Sequence, residues 1–174
     1  MHMTQVTRPP VTERSYGIVL VRSPSIKRSS LKSKDVEVLL VHQLGPRLPS
    51  ASQIHSPSTF IPLPKGHKEP ADATDLAAAL RELREETGLS VSTILCGEKA
   101  IKERYTNPRN GQEKENTFWI GLAEGDREGV QVQVEEIERA EWVQMEEAVS
   151  KATYEETKLV LREAARMLDE EQKH

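Results

Sequence analysis

The apolar and polar positions of the chain divide it into strands and helices. Short apolar runs bounded by turn residues predict strands. Two runs, Val36 to His42 and Thr117 to Leu122, are apolar at nearly every position, which indicates strands buried on both faces. In chain order, strands are predicted at Ser15 to Val21, Val36 to His42, Val91 to Ile101 (one strand or two), Thr117 to Leu122, Val130 to Val134 and Ala140 to Val143.

A helical period predicts one central helix and two near the carboxyl end. The central helix would begin at Asp72 as N-cap and end at Gly88, where glycine allows a left-handed residue. The helices near the end are predicted at Met145 to Ala152 and Tyr154 to Asp169. Apolar stripes for packing are Leu76, Ala79, Leu80 and Leu83 on the first helix, and Thr157, Leu161, Ala164 and Leu168 on the last. Strands on both sides of a central helix predict an α/β fold with a mixed sheet between helices.

Composition narrows the functional classes. The chain has 174 residues and a net charge of −4. Its length predicts one domain (14–170) between a loose lead-in (1–13) and a short tail (171–174). The acidic balance and few aromatic residues argue against a nucleic-acid or membrane binder. Cys96 lies in an apolar run, which predicts a buried thiol in a reducing compartment. We expect a cytoplasmic protein, with the nucleus left open.

Three polar segments are predicted as loops. Ser23 to Asp35 is basic, Gly45 to Thr59 is long and rich in proline and serine, and Thr106 to Asn116 is rich in turn residues. A solvated surface is the first interpretation of the basic residues in these loops. They would meet a substrate only if the loops folded over the site. These residues are Lys27, Arg28, Lys32, Lys34, Arg109 and Lys114.

The central helix carries the strongest chemical signal. Glu82, Glu85 and Glu86 are spaced i, i+3 and i+4, so they share the face opposite the apolar stripe. Three neighbouring carboxylates repel one another unless a cation lies between them. Carboxylate oxygens suit Mg²⁺ or Mn²⁺ better than zinc or copper. The helix therefore predicts a divalent-metal site.

The segment Arg81 to Leu89, RELREETGL, resembles the second half of the Nudix box of Nudix hydrolases. Gly66 matches the glycine that opens the box. Six residues later, however, Asp72 stands where the family has glutamate, and the loop is one residue longer than the usual pattern. Asp72, Asp75 and Glu69 are the three candidates for the role of that glutamate.

The resemblance implies a Nudix-type α/β/α sandwich and hydrolysis of a nucleoside diphosphate linked to another moiety. The Gly66 carbonyl, Glu82, Glu85 and Glu86 would bind the metal, and Arg81 would orient the carboxylates. The general base is left open between a box glutamate and Glu136, which would also bind metal. Glu135 and Glu138 are alternatives to Glu136.

Within the family, the chain is similar to the asymmetric diadenosine tetraphosphate hydrolases in its PKGHKEP and TFWIG segments and in its final helix. By that resemblance, Lys65 and His67 would contact phosphate, although His67 could instead be structural. Tyr105 would stack on adenine or pack into the core. The partner would be a small nucleoside or inositol polyphosphate. Alternatives are diphosphoinositol polyphosphate hydrolysis, removal of RNA 5′-pyrophosphate, and a degenerate binding module without turnover. The oligomeric state is not predicted.

Overall fold

The computed structural model describes residues 9–24, 31–44, 59–107, 110–124, 130 and 137–171. Within these residues, eight strands and three helices follow one another. The strands are β1 (Val11–Arg22), β2 (Glu37–Leu44), β3 (Thr59–Phe60), β4 (Lys65–Gly66), β5 (Val91–Ile94), β6 (Ile101–Thr106), β7 (Glu113–Ala123) and β8 (Ile137–Gln144). The helices are α1 (Asp75–Thr87), α2 (Met145–Lys151) and α3 (Glu155–Glu171), with 3₁₀ turns at Ser33–Asp35 and Cys96–Glu98.

The eight strands form one mixed sheet. β1 and β7 run parallel over nearly their whole length, and each of the other described pairs is antiparallel. The central order is β3-β2-β1-β7-β5, with β4 beside β1, β6 beside β7 and β8 beside β2. β1 and β2 pair only at Val21–Arg22 with Glu37–Val38. Further along, β1 pairs with β4 and β2 pairs with β3, so the sheet opens between β1 and β2.

Helices cover both faces of the sheet, which confirms the predicted α/β/α arrangement. On one face, Ile18, Leu20 and Trp119 pack with Ala79 and Leu83 of α1. On the other face, the alternate strand positions pack against α2 and α3. That second core includes Val19, Val21, Leu40, Phe118, Ile120, Leu161, Ala164 and Leu168. Because successive side chains of β1 enter different cores, its apolar run is continuous.

Most predicted elements are present, and their ends differ. The stripe of α3 is confirmed, since Thr157, Leu161, Ala164 and Leu168 are all buried. Cys96 is also buried, as predicted.

The predicted loop from Thr106 to Asn116 is wrong at both ends, because β6 includes Thr106 and β7 begins at Glu113. Val91 to Ile101 holds two strands, the second of which continues to Thr106. β1 begins at Val11, inside the expected lead-in.

Other predictions fall partly outside the described residues. These are the predicted strand at Val130 to Val134 and the loop at Gly45 to Thr59. The basic loop from Ser23 to Asp35 is described only at its two ends. Its last residues form the 3₁₀ turn, and the Ser33 amide and hydroxyl both donate to Asp169 near the end of α3, at 2.9 Å each.

Candidate active site

The helix that carries the three glutamates is capped at both ends. Thr74 is the N-cap, and its hydroxyl accepts a hydrogen bond from the Ala77 amide at 3.0 Å. The prediction of Asp72 as N-cap is therefore wrong. At the other end Gly88 takes the left-handed conformation, with φ of 69°, and its amide donates to the Arg84 carbonyl. The predicted glycine stop is confirmed.

Asp72 is engaged by Arg81 instead. The Arg81 Nε lies 3.2 Å from Asp72 Oδ1, and Nη2 lies 3.0 Å from Oδ2. The Glu69 amide also donates to Asp72 Oδ2 at 2.8 Å. The hydrogen bond from Arg81 is the largest cause that lowers the pKa of the Asp72 carboxyl. A forked guanidinium–carboxylate pair of this kind fixes direction as well as charge.

This pairing distinguishes the three candidates for the missing glutamate. The Asp75 carboxylate is exposed and pairs with Lys68 at 3.0 Å. The Glu69 carboxylate is also exposed and lies 3.8 Å from Arg81. Asp72, with only 7% of its side chain exposed, makes the close contact with Arg81. The longer loop thus closes on Arg81 through Asp72.

Arg81 also connects the loop to the acidic face. Its Nη1 lies 2.9 Å from Glu82 Oε1 and 2.9 Å from Glu85 Oε2, and its Nη2 donates to the His67 carbonyl at 2.8 Å. The hydrogen bond to Asp72, with smaller effects of Glu82 and Glu85, raises the pKa of the Arg81 guanidinium above its ordinary value. Arg81 therefore stays charged and holds two of the three glutamates in fixed positions.

Two glycines allow the segment Pro64 to Gly66 to pack closely against β1 and α1. A Cβ atom on Gly66 would lie 2.1 Å from the Glu82 carboxylate carbon and 2.2 Å from one of its oxygens. A Cβ atom on Gly17 would lie 2.3 Å from the Pro64 carbonyl oxygen and 2.7 Å from Lys65 Cβ. No real side chain tolerates such contacts. The Gly66 backbone and the Glu82 carboxylate can therefore touch only because residue 66 has no side chain.

The donor set fits a hard divalent cation. Glu82 is 16% exposed and Glu85 is 52% exposed, and each uses one carboxylate oxygen for Arg81. Glu86 is partly buried one turn from Glu82. Within the described ranges, no three Asp, Glu, His or Cys side chains already converge as a ligand set. The oxygen chemistry and the Gly66–Glu82 contact favour the site.

A polar floor lies on the sheet face that α3 covers, which is the face opposite α1. We use the term for Glu13, Lys65, Glu103, Tyr105, Lys114 and Asn116. In the register of the sheet, Glu103 lies opposite Asn116, and Tyr105 lies opposite Lys114. Lys114 Nζ contacts Glu13 Oε1 at 2.6 Å, and Asn116 Nδ2 donates to Glu103 Oε1 at 2.5 Å. The floor therefore places two cations and two carboxyl groups next to the box.

Lys65 interacts electrostatically both with the other charged residues of the floor and with Glu86 of α1. Burial lowers the pKa of the Lys65 ammonium, and Lys114 lowers it further, whereas Glu86, Glu103 and Glu13 oppose the change. The hydrogen bond from Lys114 is the largest cause that lowers the pKa of Glu13. Lys65 is thus the member of the floor whose charge links it to the acidic face of α1.

The other predicted substrate residues lie around the same floor. His67 is exposed, and its Nε2 lies 3.0 Å from Glu13 Oε1. Tyr105 is partly buried, and burial raises the pKa of its hydroxyl. Glu136 and Glu135 lie outside the described residues. Glu138 is exposed on β8, where it has a polar interaction.

Sequence reasoning missed Glu13, Glu103 and Asn116 and placed Lys114 in a loop. The available signal was spacing. Glu103 and Tyr105 are two residues apart, as are Lys114 and Asn116, so in a strand each pair lies on one face and makes that face polar.

The chain is similar in sequence to known proteins. A family model described as "NUDIX domain" matches residues 13–164. The chain belongs to the NUDIX family. A mouse (Mus musculus) protein named bis(5′-nucleosyl)-tetraphosphatase [asymmetrical] is 30% identical over 158 residues, which cover 89% of this chain and 95% of the relative. The rat (Rattus norvegicus) protein of the same name is 34% identical over 156 residues, with the same coverage.

The fold agrees with solved NUDIX structures. A C. elegans Ap4A hydrolase binary complex superposes with a TM-score of 0.67 at 24% identity, covering 90% of this chain and 98% of the other. This NUDIX chain is an enzyme of the hydrolase class, related to Ap4A hydrolases. In the part of the chain that the structure describes, no helix is long and apolar enough to cross a membrane.

Proposed function

We propose that this NUDIX hydrolase cleaves a phosphoanhydride bond of a dinucleoside polyphosphate such as diadenosine tetraphosphate, yielding ATP and AMP, with Mg²⁺ as the cofactor. The observation that supports it best is that Lys65, on the same floor as Tyr105, interacts with Glu86 on the acidic face of α1. A polyphosphate beside Lys65 would place its anhydride at the glutamates and a nucleoside at the tyrosine. The names of the mouse and rat relatives support the same substrate class.

We assign the ion to the Gly66 carbonyl, Glu82, Glu85 and Glu86, with Glu136 as a further candidate. When bound, Mg²⁺ supplies charge neutralisation on the phosphates and activation of the attacking water. Arg81 keeps Glu82 and Glu85 in place, and Asp72 keeps Arg81 in place. The general base is a box glutamate or Glu136.

Lys65 and Lys114 hold the remaining phosphate oxygens as point charges. Lys65 is the nearer to the box, because its charge acts directly on Glu86. Lys114 is already paired with Glu13, so a phosphate must compete with that carboxylate. His67 lies at the same edge and donates from the Nε2 that now faces Glu13, when it carries a proton there.

The described charges disfavour a diphosphoinositol polyphosphate as substrate. The two cations of the floor are matched by Glu13 and Glu103, whereas a densely phosphorylated ring needs an excess of positive charge. Lys32 and Lys34 flank Ser33, which is bound to Asp169, whereas Glu156 at the other end of α3 acts on the floor. Thirteen residues of helix at 1.5 Å each separate the two places by roughly 20 Å. Those lysines therefore lie far from the cleft.

Product chromatography with Mg²⁺ tests the proposal on three substrates: diadenosine tetraphosphate, a diphosphoinositol polyphosphate and a 5′-triphosphorylated RNA. We expect ATP and AMP from the first, formed faster than products from the others. Glu86→Gln should lower this turnover at least 100-fold. Glu146→Gln, on the exposed side of α2, is the matched control and should keep wild-type turnover. Preference for the inositol compound or the RNA would overturn the substrate assignment.

A further inference from the structure

Two neighbouring side chains at the centre of the polar floor are locked together. Asn116 is only 1% exposed, and its amide nitrogen donates to Glu103 Oε1 at 2.5 Å. The same amide donates toward the Tyr105 hydroxyl, which opposes the rise in the pKa of that tyrosine. Because Asn116 Nδ2 is directed at Glu103, the amide oxygen Oδ1 lies on the other side of the same planar group.

Each of the two side chains keeps one buried oxygen. Glu103 Oε2 and Asn116 Oδ1 are both inaccessible to solvent, and neither has a hydrogen-bond partner among the residues that the structure describes. Buried acceptors without partners are rare, because burial removes the hydrogen bonds that water would make. Two of them on adjacent, mutually bonded residues form a ready-made pair of acceptors.

We propose that Glu103 and Asn116 together accept hydrogen bonds from the nucleoside end of the substrate, and that this acceptor pair selects a nucleoside over a phosphate at its own position. This inference rests on the proposed function and adds the group that the floor recognises. The ligand chemistry is a pair of N–H or O–H donors, supplied by the ribose diol or by the amino group of the base. A phosphate oxygen is itself an acceptor and is repelled from this position.

The surrounding charges fit this assignment. Burial raises the pKa of the Glu103 carboxyl, and Glu156 adds to the rise, whereas Asn116, Lys65 and Lys114 oppose it. Donors from a ligand would replace the lost hydration of that carboxylate. Lys65 acts on both Glu86 and Glu103, so phosphates beside it place the attached nucleoside at the acceptor pair.

Entry to the acceptor pair requires a side chain to move. Tyr105 and Lys65 border it, and both are partly buried. Tyr105 is the side chain that a nucleoside would displace to reach the pair. A ring displaced in this way would remain beside the base and could stack on it.

Calorimetric titration of the wild type with AMP, 2′,3′-dideoxy-AMP and IMP tests the proposal without turnover. We expect one of the two analogues to bind at least tenfold more weakly than AMP, because it lacks the donors that the pair accepts. Weak binding of the dideoxy analogue would identify the ribose diol as the donor. Weak binding of IMP would identify the amino group of the base as the donor. Binding of all three nucleotides within twofold would overturn the proposal whatever any variant does.

Glu103→Gln provides the second arm, since it preserves shape and replaces the Oε2 acceptor by a donor. This variant should lower the affinity for AMP by about tenfold or more. It should lower the affinity for the analogue that the wild type binds weakly by less than twofold. Glu115→Gln, on the opposite face of β7, is the matched control and should leave every affinity unchanged. Equal losses for all three nucleotides would show a structural role and refute the proposal. If the wild type hydrolysed no dinucleoside polyphosphate but still discriminated the nucleotides, the proposed function would fall and the acceptor pair would stand.

Discussion

Gly17→Ala tests whether close packing of the loop on β1 sets the geometry of the active site. In the structure, a Cβ atom at this position would lie 2.3 Å from the Pro64 carbonyl oxygen, while ordinary van der Waals contact begins at 3.4 Å. The loop would therefore have to retreat by about 1 Å. That carbonyl also accepts a hydrogen bond from the Ile18 amide at 3.3 Å, which the retreat would break.

The expected loss is mainly catalytic. Pro64 leads directly into Lys65 and Gly66, so the displacement moves the proposed phosphate contact and the proposed metal contact together. A misplacement of about 1 Å costs on the order of 100-fold in rate. Overpacking of the core adds about 1–3 kcal/mol of destabilisation. We expect kcat/KM for the preferred substrate to fall about 100-fold while the purified variant remains folded at 25 °C, as followed by thermal unfolding.

Gly121→Ala is the matched control. Its Cβ atom would lie 2.8 Å from a methyl carbon of Val91 and 3.1 Å from one of Ile18, so it overpacks the same sheet against the ends of side chains. It should cost a similar free energy of unfolding and leave kcat/KM within a fewfold of wild type. Equal loss of activity in the two variants would refute the link between the loop position and catalysis.

Three further predictions concern α1 and its loop. Thr74→Ala removes the hydroxyl that accepts from the Ala77 amide and should lower the free energy of unfolding by about 1 kcal/mol, measured by urea denaturation, with kcat unchanged. Glu82→Gln should reduce Mg²⁺ affinity and turnover without lowering the melting temperature; wild-type affinity in calorimetry would contradict its role as a ligand. Asp72→Asn should release Arg81 and destabilise the fold at neutral pH. Because the folded-state pKa of Asp72 lies below the ordinary value, its stabilising effect is present above about pH 4 and lost as the pH falls through the folded-state pKa, so the two proteins should converge in strong acid.

The apolar segments predicted the layers of the fold well. Runs such as Ser15 to Val21 identify strands buried on both sides, and α3 carries a clear helical stripe. The strand ends were not predictable in the same way, because Glu103, Lys114 and Asn116 are polar residues on a buried sheet face. A hydrophobic pattern contains no signal for a strand that continues into a polar cleft.

Some features of the candidate site depend on local sequence alone, and others depend on residues farther along the chain. The spacing of Glu82, Glu85 and Glu86 and the glycine stop are local properties, so the sequence was sufficient for them. The choice between Asp72 and Thr74 as N-cap was not local, since both are good capping residues. It was decided by Arg81, nine residues after Asp72, which takes that carboxylate for itself.

The pairing of Asp72 with Arg81 also has a consequence for how such boxes change in evolution. Aspartate is one methylene shorter than glutamate, and this loop is one residue longer than the usual pattern. The added backbone and the shortened side chain offset each other, so the carboxylate still reaches the guanidinium. A strict position-by-position pattern would overlook chains like this one, whereas the contact itself is retained.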